Sequence, residues 1–446
     1  IWTVLGPEFG PELERKRAKI VRALYGLKSA GASYRYHLAT CMEHLGFQSC
    51  KADPDVWLRA NNDHTGAEFY EYVLIYTDDI LAIGKDPRRI LNRIDKYFTL
   101  KADSIKEPDI YLGAKIRSHV GDNGKKFWTQ SSNLYIKEAV KNVKQWLDTQ
   151  NLRLPSRSDT PMSTTYRPEL DTSHELSPEI ANWYQSAISV LRWAIELGRI
   201  DIITEVSMLA SQMALPRKGH LFAILRIFSY LKKHANSRLP FDATYPEIDH
   251  NQFPRRDWRR FYMDVEEPIP PNAPKPLGNS VIIRYFKDSD HAGDKLTRRS
   301  RTGYLAFLNN AVINWYSKKQ GSIEGATFGS EFMALKTVAE VNRGFRYKLR
   351  MMGIPIDRPS YVYGDNMSVL HNSSNPESIL KKKSNSIAYH LVRESVAMDE
   401  MRTGYIKSED NPADLMTKCQ PRGERRERLL RQLMWDNYSK INSLVR

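Results

Sequence analysis

Five acids stand at the ends of expected elements of structure or, for Glu331, inside one: Asp288, Asp290, Glu331, Asp365 and Asp414. Val281, Ile282, Ile283, Tyr285 and Phe286 form a β-rich run that reads as a buried strand. Asp288 and Asp290 come where that strand should end, and Gly293 marks the turn beyond. Glu331 falls inside a helical pattern with Phe332, Leu335 and Val338. Asp365 follows the short strand 361–364, and Asp414 sits in Asn411-Pro-Ala-Asp414, a helix start with proline just inside it. Acids drawn from two strand ends and two helices can gather four carboxylates at one point. Such a cluster repels itself unless cations neutralise it, and hard divalent ions prefer oxygen ligands. Two ions roughly 4 Å apart can activate an attacking oxygen and stabilise a leaving one in displacement at phosphorus. The bland alternative is a set of solvated turn acids, common after strands. For Asp290 and Asp294 the two readings balance; Asp288, Glu331 and Asp365 together argue for the cluster. Asp290 lies two residues from Asp288 on the same strand face, so it stays as the alternative ligand.

A second acidic pair, Asp78-Asp79, lies between the apolar runs 71–76 and 80–83. A bland hairpin would use Asn-Gly or Asp-Gly there. Adjacent anions between apolar strands repel, and a metal would relieve that. Upstream, Arg22-Ala-Leu-Tyr-Gly-Leu-Lys28 precedes the small-residue run Ser29–Ala32. Glycine permits close backbone approach to a ligand, and Arg22 and Lys28 suit phosphates. By itself this segment reads equally as a helix boundary with solvated basic residues.

The chain needs several elements to bring these residues together, and 446 residues suffice for two to four domains with cores of their own. Residues 33–45 carry an apolar helical stripe closed by Gly46, and Asp86-Pro87 caps another stripe through Phe98. Residues 182–233 are helical in pattern throughout, broken near Pro216 and Gly219. Eight prolines then fall between Pro240 and Pro276, which reads as an irregular tether. The formal charge of +15, from 67 Lys+Arg against 52 Asp+Glu, suits a polyanionic partner such as nucleic acid. Three cysteines make neither a disulfide framework nor a zinc set, and no apolar run is long enough for a membrane span.

Six blocks in order resemble the ribonuclease H domain of copia-type LTR retrotransposon polyproteins. They are 288–294 (Asp-Ser-Asp-His-Ala-Gly-Asp), 301–304, 315–320 (Trp-Tyr-Ser-Lys-Lys-Gln), 330–335, 364–366 and 411–418 (Asn-Pro-Ala-Asp-Leu-Met-Thr-Lys). Residues 23–28, 76–79 and 109–113 resemble the reverse transcriptase palm of the same polyproteins. The resemblance implies an α+β fold, a partial palm with helical thumb and connection followed by an α/β ribonuclease H-like domain. The implied division is fingers and palm in 1–125, a mostly helical thumb and connection in 126–239, a proline-rich connection in 240–278, the ribonuclease H-like domain in 279–420 and a basic tail in 421–446. It further implies that Asp288, Glu331, Asp365 and Asp414 hold two Mg²⁺ (or Mn²⁺) ions and cut RNA in an RNA–DNA hybrid. Asp78 would be a metal ligand of the palm with Asp79 beside it, and template–primer and dNTP would be its substrates once the palm is complete. Lys28, Arg298, Arg299, Lys381, Lys382 and Lys383 are the expected nucleic-acid contacts. The expected setting is cytoplasmic, in a virus-like particle if the element is active, with the rest of the Pol polyprotein as partner.

The sequence departs from the family at the front. Another palm aspartate is expected upstream of Tyr25-Gly26, yet residues 1–21 offer only Glu8, Glu12 and Glu14. The chain therefore reads as a 5′-truncated fragment, with polymerase activity expected to be absent. Ser384 replaces a histidine of the family, so His390 is given no proton-transfer role. Neutral isosteres such as Glu331→Gln and Asp365→Asn are expected to abolish cleavage without a large loss of fold. Two readings compete: a decayed element that only binds nucleic acid, and another relative of the ribonuclease H fold such as an integrase. The 315–320 and 411–414 blocks argue against the latter.

Overall fold

A computed structural model describes residues 2–21, 26–77, 79–121, 124, 126–156, 158–379 and 385–435. Asp78, Arg22, Lys381, Lys382 and Lys383 lie outside the described residues. The chain packs as two compact units: residues 1–107 with 274–278 and 351–353, and the remainder.

The first unit is built on a four-stranded antiparallel sheet of Gln48–Cys50, Asp53–Asn62, Glu68–Tyr76 and Asp79–Ile83, in that spatial order. The helices Ala30–His44 and Pro87–Asp95 supply Cys41, Met42, Ile90 and Ile94 to a core shared with Phe47, Trp57 and Val73. Gly46, at φ 82°, ends the first helix in the left-handed conformation that glycine adopts without steric cost. The Asp86 carboxylate accepts from the Arg89 backbone N–H at 3.0 Å and starts the second. Tyr76 pairs with Asp79 where the last hairpin closes, and Asp79 is exposed.

The second unit holds a five-stranded sheet that carries the acids. Its strands are β1 (Ile283–Asp290), β2 (Arg301–Leu308), β3 (Ala311–Lys319), β4 (Ser360–Gly364) and β5 (Met401–Tyr405), in the spatial order β3-β2-β1-β4-β5. β1, β2 and β3 are antiparallel neighbours; β4 runs parallel to both β1 and β5. Side chains alternate across β1 as strand geometry requires. Ile283 and Tyr285 face a core with Phe332, Leu335 and Val338 of helix α1 (Thr327–Met351) and Val392 of helix α3 (Ser386–Ala397); helix α2 is Met367–Ser374. Phe286, with Leu305 and Phe307 of β2, faces the opposite way.

That second face is covered by the helices Pro178–Glu196, Ile203–Ala210 and Lys218–Lys233, which stand where the helical spacing placed them. The helices and the sheet share one core: Leu191, Val206, Ile224 and Phe228 pack with Phe286, Leu305, Val312 and Met416. Hydrogen bonds tie them as well, from Thr204 Oγ1 to the Leu415 carbonyl (2.7 Å) and from Ser207 Oγ to that of Ser317 (2.8 Å). Arg199 and Asp201 form a buried bidentate pair at 2.9 and 2.7 Å that also receives Tyr230. The proline-rich stretch holds only short elements, among them the strand Leu239–Phe241 and the helical turn Arg259–Tyr262, and as far as residue 273 it is part of the second unit. Phe253 and Trp258 are buried in it, and Glu267 pairs with Arg346 and Arg350 of α1 at 2.6 and 2.7 Å. Beyond residue 420, Leu429 and Leu433 are buried too. Among the described residues, no helix is long and apolar enough to cross a membrane.

A 3₁₀ turn, Pro412–Met416, crosses β1 and β2 where Asp288 pairs with Gly303. A Cβ at Gly303 would stand 2.5 Å from Met416 Cβ and 2.9 Å from its carbonyl carbon. Gly303→Ala should therefore cost about 1–3 kcal/mol by overpacking, read as a lowered urea midpoint. An unchanged midpoint would show that the turn does not rest on this strand.

Candidate metal centre

The strand register itself brings two of the acids together. β1 and β4 pair Arg284 with Tyr361, Tyr285 with Val362 and Phe286 with Tyr363, so the same register continued by two residues sets Asp288 beside Asp365. β1 runs on to Asp290, so the two aspartates lie within the strand rather than beyond it; pairing with β2 holds as far as Asp290 and Arg301. α1 crosses the sheet and brings Glu331, whose Oε1 accepts from the Ser289 backbone N–H at 3.0 Å. Asp288, Glu331 and Asp365 each place a carboxylate oxygen within 4.8 Å of the others. Asp288 and Glu331 are 1% and 3% exposed, whereas Asp365 is half-buried and accepts from Ser408 Oγ at 2.7 Å.

Three cations stand among these acids. Lys287, wholly buried, reaches Glu331 Oε2 with its ammonium at 2.5 Å. Lys418 bridges Asp288 Oδ2 (3.2 Å) and Asp414 Oδ1 (2.9 Å), and Arg425 donates to Asp414 Oδ2. Thr417 Oγ1 donates to Asp288 Oδ2. Burial works to raise the Asp288 carboxyl, but Lys418 and the Thr417 hydrogen bond outweigh it and hold it below the usual carboxylate range. For Glu331 burial wins over Lys287, with Asp288 adding to it, and the carboxyl is raised. Burial and the neighbouring Asp288 likewise raise Asp414. Burial would depress the Lys418 ammonium, yet Asp288 and Asp414 more than offset it and raise it.

The structure thus gathers Asp288, Glu331 and Asp365, and sets Asp414 beside them with both oxygens held by Lys418 and Arg425. Asp290 lies apart from this trio and faces a hollow of about 320 Å³ that Arg167, Arg299, Arg301, Lys319 and Lys418 also line. Burial raises its carboxyl, against the pull of Lys418. Arg298 and Lys28 are exposed on the surface. His390 is exposed on α3, its Nδ1 3.0 Å from the Tyr262 hydroxyl. Lys287 was missed as a site residue, although a lysine inside a strand buried on both faces demands a countercharge. Lys418 carried its own signal, four residues beyond Asp414 on a turn.

Fold and site together define a mixed α/β protein with a candidate metal centre of three oxygen-bearing side chains. No protein-family model matches the chain. It is similar to the retrovirus-related Pol polyprotein from transposon RE1 of Arabidopsis thaliana, 24% identical over 403 residues that cover 90% of this chain and 24% of that one. Its similarity to the Pol polyprotein from transposon TNT 1-94 of Nicotiana tabacum is also 24%, over 417 residues, 91% of this chain and 27% of that one. A putative transposon Ty5-1 protein of Saccharomyces cerevisiae is 24% identical over 324 residues, 71% of this chain and 87% of that one. The chain is a relative of the Pol polyproteins of copia-type retrotransposons and spans about a quarter of the length of the two plant relatives. Among solved structures, an N-terminal RNase H domain from Mycobacterium tuberculosis aligns over 34% of this chain and 96% of that one, with 13% identity and a TM-score of 0.23.

The Lys287 pair revises one expectation. Glu331→Gln leaves an ammonium buried without its countercharge, which should cost about 3–5 kcal/mol instead of sparing the fold. Asp365→Asn, half-buried with one hydroxyl partner, should cost about 1 kcal/mol or less. Urea unfolding without divalent ions compares the two; equal losses would mean that Lys287 does not depend on Glu331.

Proposed function

We propose that the second unit is a ribonuclease H-type nuclease that cleaves the RNA strand of RNA–DNA hybrids with divalent cations, Mg²⁺ or Mn²⁺. The observation that carries this reading is the trio Asp288, Glu331 and Asp365, with ligand oxygens within 4.8 Å of one another. Hard oxygen donors at that spacing fit such an ion, and they belong to a relative of Pol polyproteins. The mixed sheet β3-β2-β1-β4-β5 is consistent with the α/β ribonuclease H-like domain that the sequence resemblance implies, which does not by itself give function. A bound divalent cation supplies a more acidic water and a counter-charge for the leaving oxygen.

The protein's own groups do the rest. Asp288 is kept ionised by Lys418 and Thr417, and the Ser289 N–H fixes the Glu331 carboxylate. Asp365, half-buried, is the member of the trio that solvent and substrate reach. The hollow that Asp290 and Lys418 line, with Arg167, Arg299 and Lys319 on its wall, suits the phosphates of the bound strand. The exposed Arg298 extends that electrostatic footprint in this reading, while Lys28 on the first unit and the lysines 381–383, outside the described residues, stay expected nucleic-acid contacts. Asp414 acts here through Lys418, and a direct ligand role for it requires Lys418 and Arg425 to withdraw. The first unit is read as part of a reverse transcriptase palm, supported by the hairpin that closes between Tyr76 and Asp79. Its use of template–primer and dNTP depends on a completed set of palm ligands.

With Mg²⁺ or Mn²⁺, the full chain should cut the RNA strand of a hybrid, leave duplex DNA intact and stop in EDTA. Asp365→Asn should reduce cleavage to background while the protein stays folded. Cleavage untouched in that variant would overturn the assignment. Arg299→Ala should keep the cut but weaken hybrid binding and flatten the plot of log affinity against log salt by about one charge. An unchanged slope would place the backbone contact elsewhere.

A further inference from the structure

Among the described strand residues at this centre, Lys287 carries a charge of the same sign as a metal ion bound there. It is wholly buried, and its ammonium lies 2.5 Å from Glu331 Oε2 and 3.4 Å from the Glu331 carbonyl. The fold makes room for it. A Cβ at Gly364 would meet Lys287 Cε at 2.6 Å, so a glycine immediately before Asp365 leaves the path along which the lysine side chain reaches the acids. The other Glu331 oxygen is already held by the Ser289 N–H at 3.0 Å. Lys418 and Arg425 neutralise the far side of the cluster in the same manner. Among the described residues, four carboxylates, Asp288, Glu331, Asp365 and Asp414, thus stand against three resident cations, which leaves about one net negative charge for an incoming ion.

We infer that Lys287 is a built-in counter-ion that competes with a divalent cation for Glu331, holding the acids together in the metal-free protein and weakening metal binding. The inference rests on the nuclease reading only in taking a divalent cation as the ligand of these acids. A metal ion that takes Glu331 must either displace the ammonium or accept a positive charge as its close neighbour. At contact distances that repulsion is large even when screened as in water. A lysine that merely packed the strand would leave metal affinity unchanged on neutralisation.

Mn²⁺ binding to the full chain, by isothermal titration calorimetry, tests this in the wild type, Lys287→Met and Lys287→Gln. Methionine keeps the length of the side chain without charge. Glutamine retains a donor for Glu331 and carries the test if the methionine variant does not fold. Both should bind Mn²⁺ about tenfold more tightly or better; unchanged or weaker binding overturns the counter-ion role. Hybrid cleavage by the same wild-type sample separates this from the function itself. Cleavage with unchanged Mn²⁺ affinity in the variants removes the counter-ion and leaves the nuclease standing. Tighter Mn²⁺ binding in the variants with no cleavage by the wild type supports the counter-ion and removes the nuclease. Absence of Mn²⁺ binding in all three proteins overturns both.

Discussion

Like charges in a buried place set the terms for the whole second unit. Asp288, Glu331 and Asp414 are all buried, and Asp365 lies at their edge. Carboxylates this close and this dry cannot all stay ionised without compensation. The chain supplies it from three directions: from β1 with Lys287, from the turn after β5 with Lys418, and from the last described helix with Arg425. Each cation comes from a different stretch of sequence, so the centre also fixes those stretches to one another. Residues 412–435 are part of the packed unit for the same reason, with Arg426 and Leu429 buried behind Arg425.

The sheet explains how opposite charges reach one spot. Alternation along β1 sends Lys287 toward α1 and Asp288 toward the turn 412–416, the two sides of a sheet covered on both faces. At the strand end the two sides meet, and the parallel partner β4 delivers Asp365 there. A shift of one residue in the β1–β4 register would exchange the faces and bury the wrong charge on each. The apolar pairs upstream, Tyr285 with Val362 and Phe286 with Tyr363, make that shift costly, so packing far from the acids sets their positions. Helices from 178 to 233 complete the arrangement by covering the Phe286 side, where the turn carrying Thr417 and Lys418 must rest.

Much of this was legible in the residues. β-Branched and aromatic runs placed β1 and β4, and 3.6-residue spacing placed α1 and the helices of 182–233, because burial demands those periods. The acids were legible because they broke those patterns at element ends. The cations were less so, because a lysine in a strand or a turn is ordinarily solvated, and the signals of Lys287 and Lys418 gain weight only once their surroundings are known. Lys287 shows the limit: its neighbours Phe286 and Asp288 point away from it, and its partner lies 44 residues on. The packing of Phe253, Trp258 and Glu267 was hidden in the same way, since eight prolines limit regular structure to short pieces without excluding anchoring contacts.

The same compensation bears on the difference between an active and a decayed element. A chain that only has to fold would still keep its buried paired acids, since removing either partner leaves an uncompensated buried charge. Here the acids are tied to stability through Lys287 and Lys418, so their presence by itself argues for fold as much as for catalysis. Asp365 breaks that tie. Half-buried, with the Ser408 hydroxyl donating to it, it contributes little to the fold that Asn could not. Its carboxylate nonetheless stands with the two buried ones where one ion can touch all three. A charge that the fold does not require is the feature of this centre that stability alone does not explain, and it makes Asp365 the residue on which the proposed cation site turns.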